Sequence, residues 1–284
     1  MGTAMGTALH IKTEVNFARA DDCFVGTLDV CELQDREYAS HLSADERAKY
    51  LSLPNERRQQ EWLAGRLVAK YLFLNRIEMS QAKRCDVWRP SLSKLSAAAL
   101  GDYSPWMYRK VEVLAFEGMP RLVWCGQERA EKVSLSHTPG LACACLATGA
   151  PAAIDIETAA PRNEAFYRKT FSEVERHGAT LFADGEPDSA NWYFTLLWTL
   201  KESALKLGWL REASLWNLPR IEIEGLPGLK AIEPFWCRSK LGVAFVLFTA
   251  RVKEDRRAMR VRVAVTGTRN LVLTVLNPLI GAVN

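Results

Sequence analysis

The chain has 284 residues, of which 48% are hydrophobic, 10% aromatic and 25% charged. These proportions suit a folded globular protein with a substantial core and exclude a disordered, collagen-like, coiled-coil or disulfide-stapled chain. The 37 basic and 33 acidic residues leave a net charge of +4, too little on its own to argue for nucleic acid.

At the N-terminus Met-Gly-Thr-Ala occurs at Met1 and again at Met5, with no apolar run of the export type behind it. Gly6 breaks the myristoylation pattern. The apolar stretches Leu241–Ala250 and Leu271–Val283 are too short, or too interrupted by Asn277 and Pro278, to span a bilayer. The expectation is a soluble cytoplasmic protein with no membrane partner.

Residues 43–76 read as helical. Ser43 and Glu46 make an S-x-x-E capping box for a short helix that Pro54 ends. Asn55 then caps a longer helix reaching about Arg76, with an apolar stripe of Leu63, Leu67, Tyr71 and Leu74. Arg66 and Lys70 lie four apart on a neighbouring face. Residues 80–110, rich in Ser, Ala, Lys and Arg, read as a connecting or inserted segment. Strands are predicted at Val111–Glu117, Arg121–Cys125, Lys132–Ser136, Leu141–Ala147 and Ala152–Glu157, with Gly118-Met119-Pro120 as a tight turn.

Asn163 and Ser172 are predicted helix starts, the latter with Glu175 as a second capping box. A further helix over Asn191–Leu207 carries a core face of Tyr193, Leu196, Leu197, Leu200, Ala204 and Leu207, and Gly208 terminates it. Strands follow at Arg220–Glu224, Leu241–Thr249, Arg260–Thr266 and Asn270–Leu276. The seven cysteines are scattered, with no C-x-x-C pair; Cys143 and Cys145, alternating with Ala142 and Ala144, read as small buried apolar groups in a reducing compartment. Helices interleaved with antiparallel-looking strands define an α+β class.

Three constellations carry chemistry. Asp155-Ile156-Glu157 puts two carboxylates on one face of a strand end, either as a solvated end or as hard oxygen ligands for Mg²⁺. Trp198, Glu202 and Lys206 form one stripe of a helix. A surface ion pair accounts for Glu202 and Lys206, whereas Trp198 suggests a covered cleft. Ser134-Leu-Ser136-His137-Thr138 offers hydroxyls and an imidazole, as a polar turn or as phosphate donors.

The order S-x-S-H, D-I-E, F-S-x-x-E (Phe171–Glu175) and W-x-x-K-E-S-x-x-K (Trp198–Lys206) resembles the 4'-phosphopantetheinyl transferases of the broad, surfactin-synthetase-activating (Sfp) type. Gly65-Arg66-Leu67-Val68-Ala69-Lys70 is similar to the family's N-terminal helix segment. Ala153 stands where the family usually has glycine, and Met119 where Gly-Lys-Pro has lysine; Arg121 is a candidate replacement cation.

The resemblance implies a pseudo-duplicated α+β fold of mostly antiparallel sheets with packed helices. It would have an N-terminal subdomain over 1–150, binding coenzyme A, and a C-terminal subdomain over 151–284, carrying the carboxylates. It implies transfer of 4'-phosphopantetheine from coenzyme A to a serine of an apo acyl or peptidyl carrier protein, giving holo carrier protein and adenosine 3',5'-bisphosphate. Such a holo-carrier-protein synthase serves fatty acid, polyketide or nonribosomal peptide synthesis, and a monomer is expected.

In that reading Asp155, Glu157 and Glu202 hold Mg²⁺, Glu202 is the general base, and Lys206 neutralises pyrophosphate charge. Ser134, Ser136 and His137 bind the coenzyme's phosphates and Lys49 its 3'-phosphate. Arg66 or Lys70 reinforces this, with a solvated helix face as the alternative, and Lys201 makes a structural pair. Trp209, Leu210 and Trp216 are either carrier contacts or core. The rival readings are another Mg²⁺-dependent phosphotransferase and an inactive carrier-binding relative. The absence of G-x-x-x-x-G-K-[ST] argues against a P-loop ATP or GTP enzyme.

Overall fold

A computed structural model describes residues 12–14, 23–30, 33, 38–81, 91–95, 100–116, 118–148, 150–183, 186–208, 218, 221–224, 226, 246–254, 257–268 and 271–283. The fold is α+β, built on two sheets that are antiparallel except for one strand pair.

The first sheet comprises β1 (Lys12–Glu14), β2 (Cys23–Asp29), β3 (Ser91–Leu95), β4 (Val111–Phe116), β5 (Met119–Trp124), β6 (Gln127–Thr138) and β7 (Leu141–Ala147), in the order β1-β3-β2-β7-β6-β5-β4. The second comprises β8 (Ala153–Thr158), β9 (Ile221–Glu224), β10 (Val246–Glu254), β11 (Arg257–Thr268) and β12 (Leu271–Val283), in the order β8-β12-β11-β10-β9. From β2 and from β8 onward, both sheets place their strands first, fifth, fourth, third, second.

Helix α1 (Ala44–Leu51) opens on the predicted capping box: Glu46 N–H donates to Ser43 Oγ at 3.4 Å and Ser43 N–H to Glu46 Oε2 at 3.0 Å. Asn55 caps α2 (Glu56–Gln81), its Oδ1 accepting from Arg58 N–H at 3.0 Å. The helix runs to Gln81 rather than Arg76. Its buried face, including Leu63, Leu67, Val68, Phe73 and Leu74, lies on β2, β6 and β7. Gly26 of β2 permits this approach, since a Cβ there would meet Val68 Cγ1 at 2.9 Å. Within 80–110 the described residues form β3, parallel to β2, and α3 (Pro105–Lys110). Phe116 pairs with Met119, so Met119 and Pro120 begin β5 and Gly118, at φ +80°, makes the turn.

Helices α4 (Glu164–Thr170) and α5 (Glu173–Ala183) start at the predicted Asn163 and Ser172. Helix α6 (Pro187–Lys206) begins four residues earlier than predicted: Pro187 is preset for a first helical position, but its first turn carries no apolar periodicity. Helix α6 packs on β8 and β12 through Leu196, Leu200 and Ala204, and Ser203 Oγ meets Thr274 Oγ1 of β12 at 3.4 Å.

A third core joins the sheets. Along β7, Ala142, Ala144 and Leu146 face α2, while Cys143 and Cys145 face Ile154, Ile156, Leu273 and Val275 of the second sheet. Cys143 and Cys145 are buried free thiols, as their alternation implied, and Cys23 is buried beside them. Among the described residues no helix is long and apolar enough to cross a membrane.

One arrangement of polar groups occurs twice. Lys70 of α2, fully buried, donates to Glu46 of the first capping box and to the carbonyls of His41 and Tyr108 at 3.1 and 3.2 Å. Lys201 of α6, also fully buried, donates to Glu175 of the second capping box at 2.6 Å, and to the carbonyls of Thr170 and Leu218 at 2.9 and 3.1 Å. In each case one carbonyl lies two residues before the capping serine. Lys201 is therefore the structural pair the sequence suggested. Lys70 is neither a phosphate contact nor part of a solvated face, because the core closes over it.

Candidate functional site

Where the two sheets meet, a cleft of about 670 Å³ opens. One wall is the start of α2, with Asn55, Arg57, Arg58 and Glu61, and the end of β6 and the turn after it, with Ser136, His137 and Pro139. The other is the end of β8, with Asp155 and Glu157, and the last turns of α6, with Glu202 and Lys206. Strand and helix periodicity produce this second wall. Ile154 and Ile156 turn into the third core, so Asp155 and Glu157 face the other way. On α6, Lys201 turns into the protein and Ser203 onto β12, which leaves Glu202 and Lys206 at the cleft.

Asp155 is almost fully buried. Its Oδ1 accepts from Ser136 Oγ and from Lys206 Nζ, both at 2.7 Å, and Lys206 also donates to the Ile154 carbonyl at 3.0 Å. Its Oδ2 is buried with no hydrogen-bond partner. Glu157 accepts from the indole of Trp198 at 3.4 Å and lies 3.6 Å from the Arg162 guanidinium. The stripe residue that a surface ion pair left unexplained therefore fixes a carboxylate. Burial, and then Asp155, push the Glu157 carboxyl above its ordinary range. Glu202 is raised further, to about 7, chiefly by burial and next by Asp155, with Glu157 adding and Lys206 opposing.

The oxygen donors and the orphaned Asp155 Oδ2 fit a hard cation such as Mg²⁺. As placed, however, no three His, Cys, Asp or Glu side chains among the described residues form a group able to hold a metal ion. Lys206 and Ser136 hold Asp155 from one side, and Trp198 and Arg162 hold Glu157 from the other.

The raised Glu202 gives a pH-dependent expectation. A carboxyl that titrates near 4.5 when unfolded and near 7 when folded favours the folded state below its unfolded value, and this is lost as pH rises through 7. Glu202→Gln should therefore stabilise the metal-free protein at about pH 8.5, by about 1–2 kcal/mol after allowance for its partial exposure, and give no gain at about pH 4.5. If it chelates Mg²⁺, the ion should raise the melting temperature of the wild type at about pH 8.5 but not that of Glu202→Gln. Equal melting of the two proteins at both pH values would contradict the burial argument.

The serines of the S-x-S-H motif have a second role. β8 is an edge strand, and its outward N–H groups need partners. Ser134 Oγ accepts from Ile154 N–H at 3.2 Å and Ser136 Oγ from Ile156 N–H at 3.4 Å. Both serines are buried and tie β6 to β8, and Ser136 alone of the two lines the cleft. His137, on the opposite face of β6, is 40% exposed and lies 2.8 Å from Arg58 and 3.3 Å from Glu61. Burial holds its imidazole below the ordinary histidine range despite Glu61.

The structure thus gathers Ser136, His137, Asp155, Glu157, Glu202 and Lys206 into one cleft. It leaves Ser134 between the strands and Lys49 on the solvent face of α1, outside the lining. Arg66 stacks its guanidinium 3.7 Å from the Trp62 ring, and also does not line the cleft. Arg121 pairs with Glu128 at 2.8 Å rather than replacing a cleft cation. Met119 lies by Gly208, where an added Cβ would come 3.5 Å from its Sδ. Trp209, Leu210 and Trp216 lie outside the described residues. Asn55, Arg57, Arg58 and Glu61 were not singled out as site residues in the sequence, since nothing local separates them from an ordinary helix start.

The fold and the cleft together suit chemistry on phosphate groups, with acidic and basic walls facing one another. Residues 151–230 match the family model of the 4'-phosphopantetheinyl transferase superfamily (ACPS). The matched segment contains Asp155, Glu157, Glu202 and Lys206. No curated protein matches the chain.

Proposed function

We propose that this protein transfers the 4'-phosphopantetheine group from coenzyme A to a serine hydroxyl of an apo carrier protein, releasing adenosine 3',5'-bisphosphate. The observation carrying this reading is the convergence, in a single cleft, of the three carboxylates and Lys206 from the matched segment with Arg57, Arg58 and His137 from the other sheet's elements. The matching strand orders and the two buried lysine–glutamate arrangements support two similar halves with the cleft at their junction.

Phosphoryl transfer needs positioning and charge stabilisation more than covalent help from the protein. Arg57, Arg58 and His137 would bind anionic groups of the coenzyme. Lys206 would share its charge between Asp155 and the reacting pyrophosphate. Asp155, Glu157 and Glu202 would hold Mg²⁺, which when bound supplies neutralisation of charge on the phosphate oxygens. Ser136 and Trp198 orient two of those carboxylates. Glu202, with a raised proton affinity, suits acceptance of the carrier serine's proton.

Intact-protein mass spectrometry tests the reading. The protein is incubated with coenzyme A, Mg²⁺ and apo carrier proteins from fatty-acid, polyketide and peptide synthesis, with an EDTA control. A metal-dependent gain of one phosphopantetheinyl group on a carrier is expected. No gain together with no binding of coenzyme A would remove the proposal and leave another phosphotransferase.

A further inference from the structure

The cleft's basic wall contains a carboxylate for which the reaction above has no use. Glu61 is only 4% exposed. Its Oε1 accepts from Arg57 Nε at 2.9 Å; its Oε2 lies 3.4 Å from an Arg58 nitrogen and 3.3 Å from His137 Nε2. Arg58 and His137 also meet each other at 2.8 Å. One buried acid therefore touches three groups drawn from α2 and β6, and all four residues line the cleft.

Its partners would be loose without it. The Arg57 and Arg58 side chains are 69% and 57% exposed, and long exposed side chains lose rotamer freedom when they grip an anion. An acid that already holds them lowers that loss. It also separates two neighbouring guanidinium groups that repel each other. Against this, a negative charge in the wall repels an anionic ligand directly. The two effects have opposite signs, so their balance can be measured.

We propose that Glu61 is a positioning residue that sets Arg57, Arg58 and His137 to receive the anionic groups of the substrate, its ordering effect outweighing its repulsion. Coenzyme A as the physiological ligand rests on the function proposed above; the sign of the effect does not.

The test is calorimetric binding of inorganic pyrophosphate and of coenzyme A, each with Mg²⁺, to the wild type, Glu61→Gln, Arg58→Gln and the double variant. Glu61→Gln should weaken pyrophosphate binding about fivefold or more, although it removes a negative charge. The double variant should bind more tightly than the product of the single effects requires, because Glu61 acts through Arg58. In turnover, KM for coenzyme A should rise with kcat changed less than about twofold.

Unchanged or tighter pyrophosphate binding by folded Glu61→Gln, or single effects that multiply, would overturn the assignment. If Glu61→Gln does not fold, Glu61→Asp keeps the charge but withdraws it from the arginines. Positioning then predicts weaker binding and a pure field effect predicts none. A wild type that binds pyrophosphate but not coenzyme A would refute the transfer reading while the Glu61 comparison still stands. A wild type that binds neither would refute both.

Discussion

Asp155→Asn should lower carrier modification by at least about 100-fold, the scale of losing one charge-stabilising contact of about 2.7–4 kcal/mol in a preorganised site. The substitution preserves size and leaves an oxygen to accept from Ser136 and Lys206, so the local packing has no reason to collapse. Lys206 loses an anionic partner, but its side chain is 28% exposed and water can reach it, so stability should change by no more than about 1 kcal/mol. Asp155→Ala is the less informative variant, because it would also remove the acceptor that ties β6 to α6 through Ser136 and Lys206. Mg²⁺-dependent thermal stabilisation should disappear together with turnover. Glu157→Gln and Glu202→Gln should follow Asp155→Asn in direction. Near-normal turnover in any two of the three would remove the metal assignment.

The acidic half of this site was legible because each of its groups sits on a regular period. Asp155 and Glu157 are two apart on a strand, and Trp198, Glu202 and Lys206 four apart on a helix, so local geometry gathers each set, while the family resemblance is what joins the two sets. Of the basic half only His137 was, because Arg58 meets it across 79 positions of chain and no short pattern announces Arg57, Arg58 or Glu61 as its partners. Lys70 shows the same limit from another side. A lysine on an amphipathic helix reads as solvated until its partners are known, and Glu46, the His41 carbonyl and the Tyr108 carbonyl lie 24, 29 and 38 residues away. The serines of S-x-S-H were legible as hydrogen-bonding groups. Their engagement with β8 depends on which edge of the second sheet faces β6, a feature of tertiary structure.

Lys201→Met should cost about 3–5 kcal/mol of stability, the range for breaking a buried ion pair by removing one partner. Lys201 is fully buried, and its loss leaves the carbonyls of Thr170 and Leu218 without their donor and strips the ammonium from Glu175, itself 5% exposed. Burial pulls the Lys201 ammonium toward deprotonation and Glu175 opposes it, so the lysine's charge depends on Glu175. Lys201→Met/Glu175→Gln should recover part of the loss, because no isolated charge then remains in the core; it will not recover all, since the Thr170 and Leu218 carbonyls still lack their donor. The adjacent motif lysine should behave in the opposite way. Lys206→Ala should reduce turnover severely per folded molecule, whereas the folded fraction of Lys201→Met should retain turnover within about threefold. Urea melts, with rates normalised to folded protein, separate the two. Wild-type stability in Lys201→Met, or folded protein without turnover, would mean that this lysine serves the chemistry rather than the core. Lys70→Met provides the internal control: with the same set of partners in the other half, it should show a loss of similar size.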